Sequence, residues 1–379
     1  MKLRIVALLL AFFAMGFGDL RGSFLGISRD VFQISAAQGA LIPFCGALGF
    51  ALCALPIGLL ATRIGKKRVL QAGLLVTAAA HLLPTFVLSR YVHLLAAIFA
   101  IGAGMTFLLV AGNPLLRDVT EPARYSRNLT FAQFFKSLGS IAGPYALALL
   151  VWMGFSWRAV FPVFAVLSLL IWAMVTWVDL PESAPERPAR LRDTLSLLGV
   201  PSLLAAFLGI FLFSGSEMGM NNFLASHLWL TFGLDIRKEA ITYGQGLFWV
   251  SQGVGRLLGT LALTWMSTRT FLLACALTGL AALAGLMLGT KTVVIACVVL
   301  CGITFSNIWP CLFSILLERR PDRASEVSGL AVMANVGGAL LPLLMGRLTD
   351  LLAVRWAFLV PFAAFVYVTG FTLTLRRRA

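Results

Sequence analysis

The chain has 379 residues and a net charge of +15; 60% of its residues are hydrophobic and 12% charged. A soluble domain is roughly half apolar and a quarter charged, so this composition excludes a large soluble protein and points to one embedded in a bilayer. A spanning helix needs about 20 apolar residues, and the length then allows about twelve spans with no room for a soluble domain.

Apolar runs predict helices at 4–26, 37–61, 68–89, 92–116, 127–152 and 158–178, then at 202–231, 242–266, 269–288, 292–317, 327–351 and 356–375. The expected fold is an all-α integral membrane protein whose twelve transmembrane helices form two pseudo-symmetric six-helix bundles. The first run follows Met1-Lys2-Leu3-Arg4 as a signal peptide would. It is longer than a signal core and lacks an obvious small-residue cleavage site, so it reads as a retained helix. With the N-terminus inside, nineteen Lys and Arg fall on the inner side, including Lys66, Lys67, Arg68, Arg117, Arg124 and Arg376 to Arg378. Seven fall outside. This bias places both termini in the cytoplasm and accounts for the positive charge without nucleic acid. A bacterial inner membrane is the expected location and a monomer the expected state.

One extended polar stretch, 179–193, carries Pro181, Pro185 and Pro188 with mixed charges and reads as a linker. It divides the chain into an N-terminal bundle (1–178), a cytoplasmic linker (179–201) and a C-terminal bundle (202–379). Landmarks repeat across it at an offset of 198 residues. Gly104-Met-Thr-Phe107 recurs as Gly302-Ile-Thr-Phe305, and Gly139 with Pro144 recurs as Gly337 with Pro342. The offset drifts elsewhere, because Gly58-Leu-Leu-Ala61 matches Gly259-Thr-Leu-Ala262 three residues further on. Six helices repeated in one orientation are a parallel duplication, a common transporter plan.

Two carboxylates share the offset inside apolar runs: Asp19 and Glu217. A charge in hydrocarbon is expensive and usually marks a solute or proton path. Glu217 lies about sixteen residues into its helix, roughly 24 Å along it. Desolvation favours the protonated acid, so Glu217 and Asp19 are the proton-coupling candidates. Arg21 lies two residues after Asp19, on another side of a regular helix. Lys136 lies roughly 13 Å into helix 5, too deep to snorkel fully. Lys136 and Arg21 would attract an anionic solute. Gln133, Asn113, Asn221, Asn222, Gln252, Asn307 and Asn335 supply hydrogen bonds for a hydroxylated or carboxylated one. Trp309, Phe134 and Trp249 offer apolar ring faces. His227 reads as interfacial filler. Pro144, Pro310 and Pro342 are expected to interrupt helix interiors. Six cysteines fall in predicted spans without zinc or redox spacing. No phosphate-cradling loop or metal motif suggests an enzyme or an ATP-driven pump, so no cofactor or metal is expected.

The loop Gly58-Leu-Leu-Ala-Thr-Arg63-Ile-Gly65-Lys66-Lys67-Arg68 resembles the signature loop of the major facilitator superfamily. The resemblance implies gating roles for Gly58, Arg63 and Gly65. The family's acidic position is Thr62 here, which implies a weakened or replaced charge interaction. Gly215-Ser-Glu217-Met-Gly-Met-Asn-Asn-Phe-Leu-Ala-Ser, Gly255-Arg256-Leu-Leu-Gly259, Trp309-Pro-Cys-Leu-Phe-Ser314 and Ser328 to Pro342 are similar to the fucose permease branch, as are Asn113-Pro114, Ala132-Gln133 and Ser137 to Gly139. That branch includes proton symporters for fucose, glucose and galactose. Arg256 follows its pattern, as a gate or a structural pair. Leu109 stands where the branch has an acid and Lys136 where it has an amide. The branch's first-helix acid aligns near Gly22, one turn from Asp19. The expected function is secondary transport by alternating access, with proton-coupled uptake of a sugar or a small organic anion at a midplane site between helices 1, 4, 5, 7, 10 and 11. The alternatives are a proton-antiport exporter of drugs or metabolites and a non-transporting sensor or assembly factor on the same scaffold.

Overall fold

A computed structural model describes residues 2–18, 31–34, 38, 41–87, 90–183, 191–234, 239–240 and 242–375. All regular structure among the described residues is helical. In chain order the helices are α1 (Lys2–Met15), α2 (Leu41–Ile64), α3 (Lys66–Val87), α4 (Tyr91–Asp118), α5 (Tyr125–Trp152) and α6 (Val160–Trp177). After the linker come α7 (Pro201–Phe232), α8 (Leu247–Ala262), α9 (Thr268–Leu288) and α10 (Lys291–Arg319). Next is α11, in two pieces (Ala324–Met333 and Gly337–Leu351), and last α12 (Leu359–Thr374). Among the described residues, ten helical segments are long and apolar enough to cross a membrane, and Leu3–Gly18 is a shorter apolar helix. In hydrocarbon every backbone N–H and C=O must be satisfied within the segment, which is why helix alone serves these apolar runs.

The predicted helices appear with shifted ends. The run expected at 242–266 begins as a π-turn, Thr242–Gly246, and becomes regular only at Leu247. The run expected at 327–351 is broken by a 3-10 turn at Ala334–Val336, directly before Gly337. Pro144, Pro310 and Pro342 lie inside helices, as expected. All six cysteines lie in α2, α9 and α10, unbridged.

The chain clusters into two compact units. Unit 1 comprises Met1–Tyr125, Ala132–Ser196 and Arg320–Met333; unit 2 comprises Ser126–Phe131, Leu197–Arg319 and Ala334–Ala379. In unit 1, α4 packs on α2 and α3, α3 on α6, and the first piece of α11 on α2 and α4. In unit 2, α7 packs on the second piece of α11, on α10 and on α12, while α10 also packs on α8 and α9.

The duplication read from the sequence is visible as one backbone crossing made twice. A side chain at Gly139 of α5 would run into the carbonyl oxygen of Phe13 on α1, and one at Gly337 would run into that of Phe211 on α7. Both members of each pair differ by the same 198 positions. Only glycine lets two helix backbones meet so closely, in the manner of small-residue packing within membranes. In unit 1, Gly58 similarly meets the backbone of Ser325 and Gly329.

The linker is tied into unit 1. Glu182 accepts hydrogen bonds from the backbone N–H of Lys66 (2.6 Å) and Lys67 (3.3 Å), which open α3. A carboxylate is favoured there by the unpaired amides and the helix dipole. Gly65, at φ +91°, makes the turn between α2 and α3. Lys66 Nζ pairs with Asp118 at the end of α4 (2.8 Å) and donates to Ser183 (2.7 Å), and both partners of the ion pair are buried. Further on, in the short helix Leu191–Ser196, Thr194 donates to Glu326 (2.7 Å). Arg323 pairs with Glu326 and donates to the Asp193 carbonyl (3.0 Å). Thr62, at the position where an acid was expected from the resemblance, donates to the Leu59 carbonyl of its own helix. In the described residues, Glu182 of the linker is the carboxylate that caps α3.

Candidate functional site

Unit 2 gathers Glu217, Asn221, Gln252 and Asn335 of the predicted polar residues along one stripe of α7. Ser214, Glu217 and Asn221 are spaced i, i+3 and i+7, so they share a face over about 10 Å. Each is met by a partner from another helix. At the first step, Asn335 Oδ1 accepts from both Ser214 Oγ (2.6 Å) and Trp309 Nε1 (3.1 Å). At the second, Gln252 Nε2 donates to Glu217 Oε1 (3.0 Å), and Arg256 Nη2 donates to Gln252 Oε1 (3.3 Å). At the third, Asn221 Oδ1 accepts from Gln245 Nε2 (2.7 Å) and Trp249 Nε1 (2.7 Å).

Helix α8 and the π-turn before it deliver their share through helical spacing. Gln245 of the turn and Trp249, Gln252 and Arg256 of α8 recur every three or four residues, while Val250, Val254, Leu257, Leu258 and Leu261 are exposed on its apolar side. Gln252 is buried and Glu217 half-buried. The amide of Gln252 therefore links a guanidinium to a carboxylate, donating to one and accepting from the other. Trp309 stacks on Phe313 (ring centroids 4.8 Å apart), which fixes its indole.

The other predicted side chains of unit 2 lie off this stripe. Asn222 is exposed next to Asn221. Asn307 is buried, and its Nδ2 faces the Gly255 carbonyl (3.0 Å), the Ile303 carbonyl (2.9 Å) and Ser306 Oγ (2.9 Å), so its amide hydrogens are taken up between α8 and α10. His227 has both ring nitrogens engaged. A carbonyl can only accept, so Nε2 carries the proton toward Leu286 O (2.9 Å), and Nδ1 faces Thr231 Oγ1 (3.0 Å). That arrangement suits packing between α7 and α9.

Asn113, Gln133 and Lys136 belong to unit 1. Asn113 is fully buried in α4, and neither of its side-chain polar atoms has a protein partner among the described residues. Gln133 is buried and Lys136 half-buried on α5. The backbone of Lys136 lies against Gly16, three residues before Asp19. Asp19 and Arg21 themselves fall outside the described residues, as do Arg376 to Arg378. Among the gating candidates, Gly58 and Gly65 sit at the close approach and turn already described, Arg63 is exposed, and Arg256 belongs to the polar stripe of unit 2.

Ser214 and Gln245 are absent from the sequence-based candidates. Their signal was helical spacing: Ser214 lies three residues before Glu217, and Gln245 seven before Gln252.

Comparison with known proteins decides the family. The model of the Major Facilitator Superfamily matches residues 6–340. The chain belongs to the Major Facilitator Superfamily. It is similar to a glucose/galactose transporter of Brucella abortus, at 28% identity covering 97% of this chain and 93% of the relative. It is also similar to the L-fucose-proton symporter of Haemophilus influenzae, at 23% identity covering 92% of this chain and 91% of the relative. A solved structure of the E. coli fucose:proton symporter has the same fold, with a TM-score of 0.85 at 20% identity over 99% of this chain and 98% of that one. This superfamily member is thus a multi-pass membrane transporter and not an enzyme, and the resemblance in its loop and helix motifs is borne out.

Proposed function

We propose that this transporter takes up a neutral sugar together with a proton, by alternating access, across a bacterial inner membrane with both termini in the cytoplasm. The proposed repeats are 1–178 and 202–379, joined by the linker 179–201. The supporting observation is the stripe Ser214–Glu217–Asn221 with its amide and indole partners. Neutral amides suit hydroxyl groups, and indole faces suit the C–H faces of a sugar ring. In its ionised form Glu217 disfavours a carboxylate solute at the same stripe, because like charges repel strongly where water is scarce. The solutes for which the relatives are named, glucose, galactose and fucose, support the same reading.

In this mechanism Glu217 takes up a proton on the outer side and releases it on the inner side. Neutralising the carboxylate lowers the cost of enclosing the site, so closure with solute and closure without it respond differently to protons. Gln252 holds the carboxylate in place, and Arg256 holds Gln252. One observation favours a small organic anion instead: the half-buried Lys136 on α5. Counterflow in proteoliposomes separates the two solutes. D-galactose, D-glucose and L-fucose are expected to exchange, and gluconate and lactate are not. Exchange of the carboxylates alone would transfer the assignment to the anion reading.

A further inference from the structure

Two asparagines of unit 2 are held in the same way. An indole N–H can only donate, so the atom it meets must be an acceptor. Trp249 Nε1 lies 2.7 Å from one side-chain atom of Asn221, and Trp309 Nε1 lies 3.1 Å from one of Asn335. Both atoms are therefore the carbonyl oxygens, and the usual ambiguity between O and N of an asparagine is resolved by chemistry. A second donor pins each oxygen: Gln245 Nε2 for Asn221 and Ser214 Oγ for Asn335. The consequence falls on the other end of each amide. Among the described residues nothing accepts from Asn335 Nδ2, and Asn221 Nδ2 reaches only Asn222 Oδ1, at the 3.5 Å limit of a hydrogen bond. Neither asparagine is buried, so each can present its N–H groups to a solute.

We propose that Asn221 and Asn335 are donor-only contacts for two solute oxygens, each beside an indole, and that Ser214 and Gln245 are the positioning residues that keep them so. This deepens the sugar reading above and rests on it. The two donors then flank Glu217, the proton-carrying group of the mechanism above. Such a site requires an acceptor on the solute at each asparagine. A buried polar contact left without its counterpart is what gives such sites their selectivity.

Fluorinated sugars test this, because a C–F group accepts weakly and cannot donate. Binding of D-galactose and of its monofluoro analogues, one ring position at a time, is measured on purified protein. Wild type is expected to tolerate fluorine, within about threefold, at the two positions that face the asparagines. Asn221→Asp and Asn335→Asp keep a carbonyl-type oxygen for the indole but turn the donor into an acceptor. Each is expected to reject the fluoro analogue at its own position by about tenfold more than it rejects the parent sugar. Gln245→Leu and Ser214→Ala are expected to raise KM severalfold with kcat unchanged, and Ser214→Thr to restore KM. A fluorine profile identical in wild type and both aspartate variants would overturn the proposal while leaving the sugar reading intact. Failure of wild type to bind any of D-galactose, D-glucose and L-fucose would overturn the sugar reading and this proposal with it.

Discussion

The two units meet the same demand, a few polar groups inside apolar helices, in opposite ways. In unit 2 the polar side chains are chained together along α7, through Ser214, Glu217 and Asn221 to partners on α8, α10 and α11. In unit 1 the ion pair of Lys66 and Asp118 lies at helix ends beside the linker, while the side-chain amide of Asn113 in α4 has no protein partner among the described residues. Yet the helix crossing beneath is shared: Phe13 with Gly139, and Phe211 with Gly337. At the 198-residue offset, Ser214 corresponds to Gly16 and Asn335 to Ser137, so the crossing is repeated while the hydrogen bond built on it is not. The duplication supplies a scaffold, and the side chains placed on it have taken different work.

The most damaging test of this shared scaffold is a single methyl group. Gly139→Ala and Gly337→Ala should each cost about 4 kcal/mol or more, since the clash is with backbone and cannot be relieved by a rotamer. Thermal unfolding in detergent should show matching losses; tolerance at one site with collapse at the other would break the correspondence. Next in size, Lys66→Ala strands the buried Asp118 carboxylate and should cost about 3–5 kcal/mol. The double variant Lys66→Met with Asp118→Leu should recover much of that loss, and no recovery would mean that the ion pair is not the source of the effect. In unit 2, Gln252→Leu removes the amide between Arg256 and Glu217 and should cost about 1–3 kcal/mol, with a raised KM for the sugar. An unchanged KM would detach Gln252 from the solute stripe. Smallest, Glu182→Gln weakens the cap on α3 and should lower stability by about 1 kcal/mol at low salt, less at high salt. A salt-independent loss would rule out the electrostatic cap.

The legible part of the fold was the local part. Apolar runs of about 20 residues encode spans by themselves, so the helices could be read directly. Helix ends could not, because they depend on caps and neighbours: the break at Ala334–Val336 and the π-turn at Thr242–Gly246 leave no local signal stronger than the adjacent glycines. Glu217, Gln252 and Asn335 stood out as polar residues in apolar runs, but their pairings join residues 35 and 121 positions apart. Lys66 was read as a topology charge, and its partner Asp118 lies 52 positions away. The capping of α3 by Glu182, 116 positions from Lys66, was invisible for the same reason.

The most direct measurement is made on Glu217→Gln in proteoliposomes, with labelled D-galactose followed two ways. Glutamine keeps the shape and can still bond Gln252, but it cannot carry a proton. Counterflow, which needs no gradient, should persist, whereas accumulation driven by an inward proton gradient should vanish. Accumulation equal to wild type would contradict Glu217 as the coupling group.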